Sequence, residues 1–189
     1  MIPSDAGLAA RFRDANDRGA FEALLVRHLA SLRRFLAVTA AGDLQIAADA
    51  EQRVLFRLYS RLASWRAKGS FTTHLFTLAR KASLEAFRQQ HRRDLWKKTW
   101  NRWKGKVSSP VRPTIPPSPW NLALPGRSLR RALSKLSEAG RGMLYLAEAE
   151  RCDTVTLATI YGLSEDEVHL QLKNALSRLQ ALLKEERYA

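Results

Sequence analysis

Apolar residues recur every three or four positions through much of the chain, the spacing that places side chains on one face of an α-helix. Strict alternation of apolar and polar residues, which is typical of a half-buried strand, occurs nowhere. The first apolar stripe follows a cap-like stretch at residues 16–19 and predicts a helix over residues 21–36. Its members are Phe21, Leu24, Leu25, His28, Leu29, Leu32, Phe35 and Leu36.

Two further helices are predicted in the first half of the chain. The second runs over residues 44–65, and its stripe consists of Val54, Leu55, Leu58 and Leu62. Gly69 and Ser70 then break the pattern. The third helix begins at Phe71 and continues past Arg93, with basic residues facing outward. Its inward positions are Leu75, Leu78, Ala79, Ala82 and Ala86.

A proline-rich segment divides the chain. It contains Pro110, Pro113, Pro116, Pro117, Pro119 and Pro125. Each proline removes a backbone donor and fixes φ, so this segment cannot sustain a helix. The predicted fold is therefore all-α, with a helical module at residues 1–95, a basic linker rich in tryptophan and proline at 96–128, and a second module at 129–189.

The second module carries a helix-turn-helix pattern within its three or four predicted helices. Asp153 or Thr154 caps a short helix, Gly162 provides the tight turn, and Ser164 with Glu167 forms a capping box for the next helix. The apolar stripe of that last helix is Val168, Leu172, Ala175, Leu176, Leu179, Leu182 and Leu183. Because such patterns also occur in bundles that bind no nucleic acid, this one alone leaves DNA binding open.

The charge of the chain favours a polyanionic partner. Its 32 Lys and Arg against 18 Asp and Glu give a formal charge of +14 and a pI near 10.7. Residues 80–106 alone hold ten basic and two acidic side chains. Nucleic acid fits better than a membrane, since no apolar run is long enough to span one and no signal-peptide core follows Met1. We therefore expect a cytoplasmic protein.

The sequence offers little for catalysis. Cys152 is the single cysteine, which rules out an internal disulfide and, with four scattered histidines, makes no metal site. We interpret it as a small core residue. No phosphate-cradling glycine loop and no nucleophile elbow is present. We expect no enzymatic activity, no cofactor and no metal.

Two segments together resemble the extracytoplasmic-function (ECF, group IV) type of bacterial sigma factor. Residues 69–88, GSFTTHLFTLARKASLEAFR, match without a gap the family stretch G-S-F-x-x-W-L-x-x-I-A-R-N-x-x-L-D-x-x-R. Residues 133–183 are similar to the family's region 4, including IYGLS at 160–164 and ALSRL at 175–179. The resemblance covers roughly residues 20–95 and 129–185.

This resemblance implies a promoter-specificity subunit. The first module would dock on the clamp helices of the largest RNA polymerase subunit, open the -10 element and hold a flipped base. The second would sit on the polymerase flap and read the -35 element in the major groove. Family membership also implies an anti-sigma partner.

The resemblance assigns site residues by position. Clamp binding is assigned to Asp49, Gln52, Leu55, Phe56 and Arg57. Contact with the -10 strand is assigned to Trp65, Lys68, Ser70, Phe71, Arg80, Lys81 and Arg88. Contact with the -35 element is assigned to Ser164, Glu165, His169, Leu170, Lys173 and Asn174.

Several of these features have a second interpretation. Trp65 and Phe71 have the aromatic rings that a flipped base would need, but both also suit core packing. The basic helix face could be an ordinary solvated surface. Trp96, Trp100 and Trp103 recur at helical spacing, and a helix continuing through them would either pack the linker on the modules or contact DNA, RNA or polymerase.

Departures from the family pattern fall at functional positions. Lys81 replaces an asparagine that contacts a base, His74 replaces a tryptophan, and Arg53 stands where an acid is common. The recognition helix begins with acids such as Glu165, which repel phosphate. These differences keep an alternative open, in which the chain is a sigma-like DNA-binding regulator or a polymerase adaptor without promoter melting.

Overall fold

The structure, a computed structural model, describes residues 3–62, 65, 69–104 and 126–187. Every regular element in these residues is an α-helix, so the all-α prediction is confirmed. The helices are α1 (Asp5–Ala15), α2 (Arg18–Thr39), α3 (Leu44–Leu62), α4 (Phe71–Lys104), α5 (Arg127–Ser134), α6 (Glu138–Glu148), α7 (Thr154–Tyr161) and α8 (Glu165–Arg187). Lys68 and the proline-rich segment lie outside the described residues.

Helix α1 was missed by the sequence pattern. Its stripe consists only of Leu8, Ala9 and Phe12, too short a series to indicate a helix. Ser4 starts the helix, because its hydroxyl oxygen accepts a hydrogen bond from the amide of Gly7 at 3.1 Å. The buried stripe packs α1 against α2 and α3, so α1 belongs to the same bundle as the predicted helices.

Helix α4 is longer than any other helix in the described part of the chain. Its 34 residues span about 51 Å at 1.5 Å per residue. The sequence predicted that the first module ends at residue 95, but the helix continues beyond that position. The first nine residues of the predicted linker, 96–104, are therefore helical. Trp96 is 70% exposed, and the side chains of Trp100 and Trp103 lie outside the described set.

The predicted helix-turn-helix is confirmed by α7 and α8. Asp153 caps α7 by accepting from the amide of Thr156 at 2.8 Å. Gly162 ends α7 in the left-handed conformation, with φ 66°. Ser164 and Glu167 make the reciprocal capping box, with amide-to-oxygen distances of 2.8 and 3.3 Å. Within the predicted α8 stripe Leu176 is exposed, whereas the other six side chains are buried or half-buried.

One large hydrophobic cluster connects the two halves of the molecule, α1–α4 and α5–α8. Its members from the second half are Met143, Leu146, Leu157, Ile160, Tyr161 and Val168. Helix α6 packs against α2 and helix α7 against α4, and we call these contacts the inter-half interface. A smaller cluster joins α5, α6 and α8. The two halves thus share a core in this conformation.

Cys152 packs against the larger cluster, as a core residue would. The side chain is half-buried, and burial raises the pKa of its thiol to about 11. The thiol therefore stays protonated at neutral pH and is a poor nucleophile. Among the helices of the described residues, none combines the length and the apolar character needed to cross a membrane.

Candidate nucleic-acid interface

Helix α4 presents a basic face to solvent. Lys81, Arg88 and Arg92 are spaced by seven and four residues, which places them on one side of the helix, and all three are exposed. Glu85 lies between them, but its carboxylate accepts a hydrogen bond from Arg57 of α3 at 2.6 Å. That bond holds the pKa of Glu85 below its usual range. The acid is thus neutralised from α3, and the face remains positive.

Arg80 points in a different direction from Lys81. One of its terminal nitrogens, Nη1, donates to the backbone oxygen of Ile160 in α7 at 3.4 Å. Its guanidinium carbon lies 4.8 Å from the centre of the Tyr161 ring, within the range of a cation–π contact. Four basic residues were assigned to the -10 strand, and Lys68 lies outside the described residues. Of the other three, Lys81 and Arg88 share the exposed face, whereas Arg80 contacts the second half.

An aromatic cluster lies at the start of α4. The rings of Trp65 and Phe71 meet edge to face at 6.0 Å, and His74 lies 5.8 Å from Trp65. Phe71 is only 3% exposed and belongs to the core, which fits the core-packing interpretation for this residue. Trp65 is half-buried, and its backbone oxygen accepts from Arg13 of α1 at 3.4 Å. Of the two rings, that of Trp65 is the more accessible to a base.

Two further side chains define this end of α4. Ser70 is exposed, and its hydroxyl oxygen accepts from the amide of Thr73 at 3.1 Å, so it caps the helix. His74 is half-buried beside Trp65, and burial together with the nearby charge of Arg61 lowers the pKa of its imidazole. The ring at this position is therefore neutral at physiological pH, unlike the exposed cations further along α4.

Three of the residues assigned to clamp binding, Asp49, Gln52 and Phe56, line a groove between α3 and α4. Of the other two, Arg57 pairs with Glu85 of α4 and Leu55 packs against the core. The groove has a volume of about 330 Å³. Its lining is Asp49, Gln52, Arg53, Phe56, Gln89 and Arg93. Phe56 is 76% exposed at its edge, an unusual position for a large apolar ring.

The residues assigned to the -35 element lie together at the start of α8. Five of them share the solvent side of the helix, and Ser164 caps its first turn. Leu170 is 60% exposed, beside the exposed Lys173. Glu165 and Asp166 are also exposed, so the helix offers negative charge at its first turn and mixed polar and apolar groups after it.

Sequence reasoning missed contributions from residues distant along the chain. Arg13 reaches the Trp65 carbonyl from α1, and Gln89 and Arg93 complete the α3–α4 groove. The hydrogen bond from Arg80 to Ile160 spans 80 positions, and no local pattern could have indicated it. Within the part of the chain that the structure describes, no group of three or more acidic, histidine or cysteine side chains is arranged to hold a metal.

Comparison with known proteins gives a family match and several similar solved structures. Residues 25–93 match the family model of sigma-70 region 2. The sigma factor RpoE from Bartonella quintana, solved in complex with the anti-sigma factor NepR, is 25% identical, with a TM-score of 0.62 over 87% of this chain and 96% of that chain. CnrH, solved with the cytosolic domain of CnrY, has the same fold at 18% identity, with a TM-score of 0.67 over 96% and 98%. No curated protein sequence matches the chain.

Proposed function

We propose, on the basis that the chain belongs to the ECF-type sigma factors, that it binds core RNA polymerase and directs it to specific promoters. A sigma factor acts in transcription initiation by binding, and the chain's own residues need supply no bond-breaking chemistry. The observation that carries the proposal is the coincidence of the region 2 match with the exposed basic face of α4.

The basic face of α4 is the proposed contact with the -10 element. Lys81 and Arg88 stand on the same side of the helix, two turns or about 10.5 Å apart, so both can contact phosphates of one strand. Trp65 and the capped turn at Ser70 lie at the helix start, where an unstacked base could pack on the indole ring. Melting then depends on trapping the open strand rather than on any reaction.

The start of α8 is the proposed contact with the -35 element. His169, Lys173 and Asn174 supply donors and an amide for base edges, and the exposed Leu170 suits the methyl group of a thymine. Glu165 and Asp166 would face phosphates, so we expect this contact to add less affinity than a basic recognition helix would. We accordingly propose that the protein binds the -35 element more weakly than the -10 element.

The α3–α4 groove with Phe56 at its edge is the proposed docking site for the polymerase clamp helices, with the C-terminal half on the flap. We also propose an anti-sigma factor as a second partner. RpoE, which matches most of this chain, was solved with such a protein. The fold shared with RpoE includes both halves, so a similar partner could contact both.

A second candidate function is a sigma-like regulator or polymerase adaptor that does not melt promoters. Two features favour this second function. Lys81 occupies the position at which the family has a base-contacting asparagine, and the first turn of α8 is acidic. Such a regulator should bind a duplex site without polymerase, whereas a sigma factor should depend on core enzyme.

Transcription in vitro from genomic DNA fragments separates the two. Core RNA polymerase is assayed with and without the protein, and the 5′ ends of the transcripts are mapped. New start sites sharing an upstream motif are expected from a sigma factor. No new start sites, with active polymerase and folded protein, would contradict the proposal and favour the regulator or adaptor.

A double variant locates the DNA contact in the same assay. Replacing Arg80 and Lys81 by alanine should reduce promoter-complex formation while leaving polymerase binding unchanged, since both lie away from the α3–α4 groove. Arg178→Ala, which removes an exposed arginine from the middle of α8, is the matched control. Loss of polymerase binding in the double variant would show that the DNA-facing side of α4 is misplaced.

A further inference from the structure

Helix α4 continues beyond the part of the chain that matches the family. The match ends at residue 93, whereas the helix ends at Lys104. We call residues 94–104 the α4 extension, which is about 16 Å long at 1.5 Å per residue. It includes Leu95 and Trp96, whose side chains are 50% and 70% exposed. An indole ring is large and mostly apolar, so its exposure on a helix surface calls for a physical explanation.

Trp96 continues the basic face of α4. It comes four residues after Arg92, which itself comes four residues after Arg88. Because residues four apart are neighbours on a helix surface, these three side chains form a row. All three are exposed, and Lys81 stands two turns before the row on the same side of the helix. One face of α4 therefore presents cations first and an aromatic ring after them.

The acids closest to this row are held by other groups. Glu85 accepts from Arg57 of α3, as described above. Asp94 accepts from the side-chain nitrogen of Gln90 at 3.1 and 3.3 Å, and it lies about 160° from Trp96 around the helix axis. Residues 97–104 contribute four Lys or Arg and no acid to the sequence. The surroundings of Trp96 are thus positively charged.

A row of cations ending in an exposed aromatic ring suits a single strand of nucleic acid. The cations attract phosphates of any strand, whereas the ring offers a stacking surface that only an unpaired base can use. In a duplex each base is already stacked on its neighbours, so a duplex would gain from the cations alone. Arg92 and Trp96 are about 6 Å apart along the axis. One nucleotide can therefore contact both, its phosphate on the guanidinium and its base on the indole ring.

We propose that Arg92 and Trp96 form a further binding site for the opened promoter strand, in which Trp96 stacks on an unpaired base and Arg92 contacts its phosphate. The strand that lies on Lys81 and Arg88 continues onto the α4 extension. The path from Lys81 to Trp96 is about 22 Å, which corresponds to at most about seven nucleotides at 3.4 Å each. The identity of the strand as promoter DNA rests on the proposed function, whereas the binding of an unpaired strand does not.

The first test measures DNA binding by the full chain without polymerase. Fluorescence anisotropy follows a fluorescein-labelled oligothymidine of about 12 nucleotides, either alone or paired with oligoadenosine. Trp96→Ala should weaken binding of the single strand about tenfold, or about 1.4 kcal/mol, and leave binding of the duplex unchanged. Trp96→Phe keeps a ring for stacking and should bind within about twofold of the unaltered chain. Val155→Ala, which truncates an apolar side chain that is 58% exposed on α7, is the matched control.

The role of Arg92 is tested by the salt dependence of the same binding. Each phosphate contact with a single strand adds about 0.7 to the steepness of log K against log salt concentration. Arg92→Ala should therefore lower that steepness by about 0.7, whereas Trp96→Ala should leave it unchanged. Arg178→Ala, at an exposed arginine of α8, should alter neither the affinity nor its salt dependence.

Three results of these titrations would overturn the inference. The first is that the unaltered chain does not bind the single strand. The second is that Trp96→Ala binds it as tightly as the unaltered chain does. The third is that Trp96→Ala loses as much affinity for the duplex as for the single strand, because stacking on an unpaired base would then not be the interaction removed.

A second test separates promoter DNA from the transcript as the source of the unpaired strand. Permanganate oxidises unpaired thymines that are not shielded by stacking. It is applied to complexes of core polymerase, this protein and promoter fragments with thymine at successive positions, before nucleotides are added. Trp96→Ala should expose a thymine that the unaltered chain protects, and Trp96→Phe should restore the protection. Identical thymine reactivity in all three would overturn the choice of promoter DNA.

Failure of the inference is distinguishable from failure of the proposed function. New transcripts with core polymerase, together with single-strand binding that does not depend on Trp96, leave the sigma factor assignment intact and remove the site. Single-strand binding that depends on Trp96 without any transcription supports the site and contradicts promoter-specific initiation.

Discussion

Phe56 is a large apolar side chain that is mostly exposed to solvent. Its substitution is therefore the most direct test of the proposed polymerase-binding site. It stands at the edge of the α3–α4 groove and is 76% exposed. Aromatic side chains that become buried at the centre of an interface often dominate its energy. We expect Phe56→Ala to weaken binding to core polymerase by about 2 kcal/mol, roughly thirtyfold, in a fluorescence anisotropy titration.

Val26 provides the matched control for Phe56. It is 77% exposed on α2, away from the groove, so Val26→Ala removes a comparable exposed apolar group. The control should bind polymerase like the unaltered chain. Equal affinities for the two variants and the unaltered chain would place the clamp contact elsewhere.

His74 predicts a pH dependence of stability. Burial and the charge of Arg61 hold its folded-state pKa below the ordinary 6.5, so the unfolded chain binds more protons in the interval between the two values. The contribution of the neutral ring is complete above pH 6.5 and is lost as the pH falls through the folded-state pKa. Denaturation midpoints at pH 7.5 and pH 5 should therefore differ less for His74→Gln than for the unaltered chain. A difference of the same size in both would mean that His74 is not the group that titrates.

Helix ends are where local sequence carried most of the structural information. The turn at Gly162 and the capping box of Ser164 and Glu167 were predicted in detail, because the groups that make a cap lie within three or four residues of one another. Arg80 could not be placed in the same way. The orientation of its side chain depends on a hydrogen bond to α7, which is remote in sequence. Helical periodicity alone cannot tell whether a polar side chain faces solvent or such a neighbouring helix.

The cap of α8 yields a prediction for that element. Ser164→Ala leaves the amide of Glu167 without its acceptor and removes half of the capping box. We expect a loss of about 1 kcal/mol in the free energy of unfolding, measured by urea denaturation followed by circular dichroism. Ser177→Ala, an exposed substitution within α8, should be neutral or slightly stabilising because alanine favours helix. Equal destabilisation by both would argue against a role for the cap.

At the scale of the whole molecule, the shared core is the feature that sequence could not predict. The proline-rich segment lies between α4 and α5 along the chain, but composition says nothing of whether the helices on its two sides pack together. Residues of α6 and α7 enter the same apolar cluster as α2 and α4, including the fully buried Met143. Stability in one half should consequently depend on side chains in the other.

Met143 tests that dependence. Met143→Ala should cost about 2–5 kcal/mol and reduce hydrogen-exchange protection in α2 as well as in α6, measured by mass spectrometry. Leu182→Ala is the control, because Leu182 is equally buried but belongs to the smaller cluster of α5, α6 and α8. Protection lost only within residues 129–189 in Met143→Ala would show that the halves unfold independently.

The length of α4 makes the register of its residues a geometric variable. A helix advances about 1.5 Å and turns about 100° with each residue, so one residue inserted after Arg92 would swing everything beyond it by more than a quarter of a circle. Four inserted residues would nearly restore the original bearing and displace it by about 6 Å. The direction in which the chain leaves the first half therefore depends on the helical rotation of α4. The effect of an insertion there should depend more on the rotation that it adds than on the number of residues inserted.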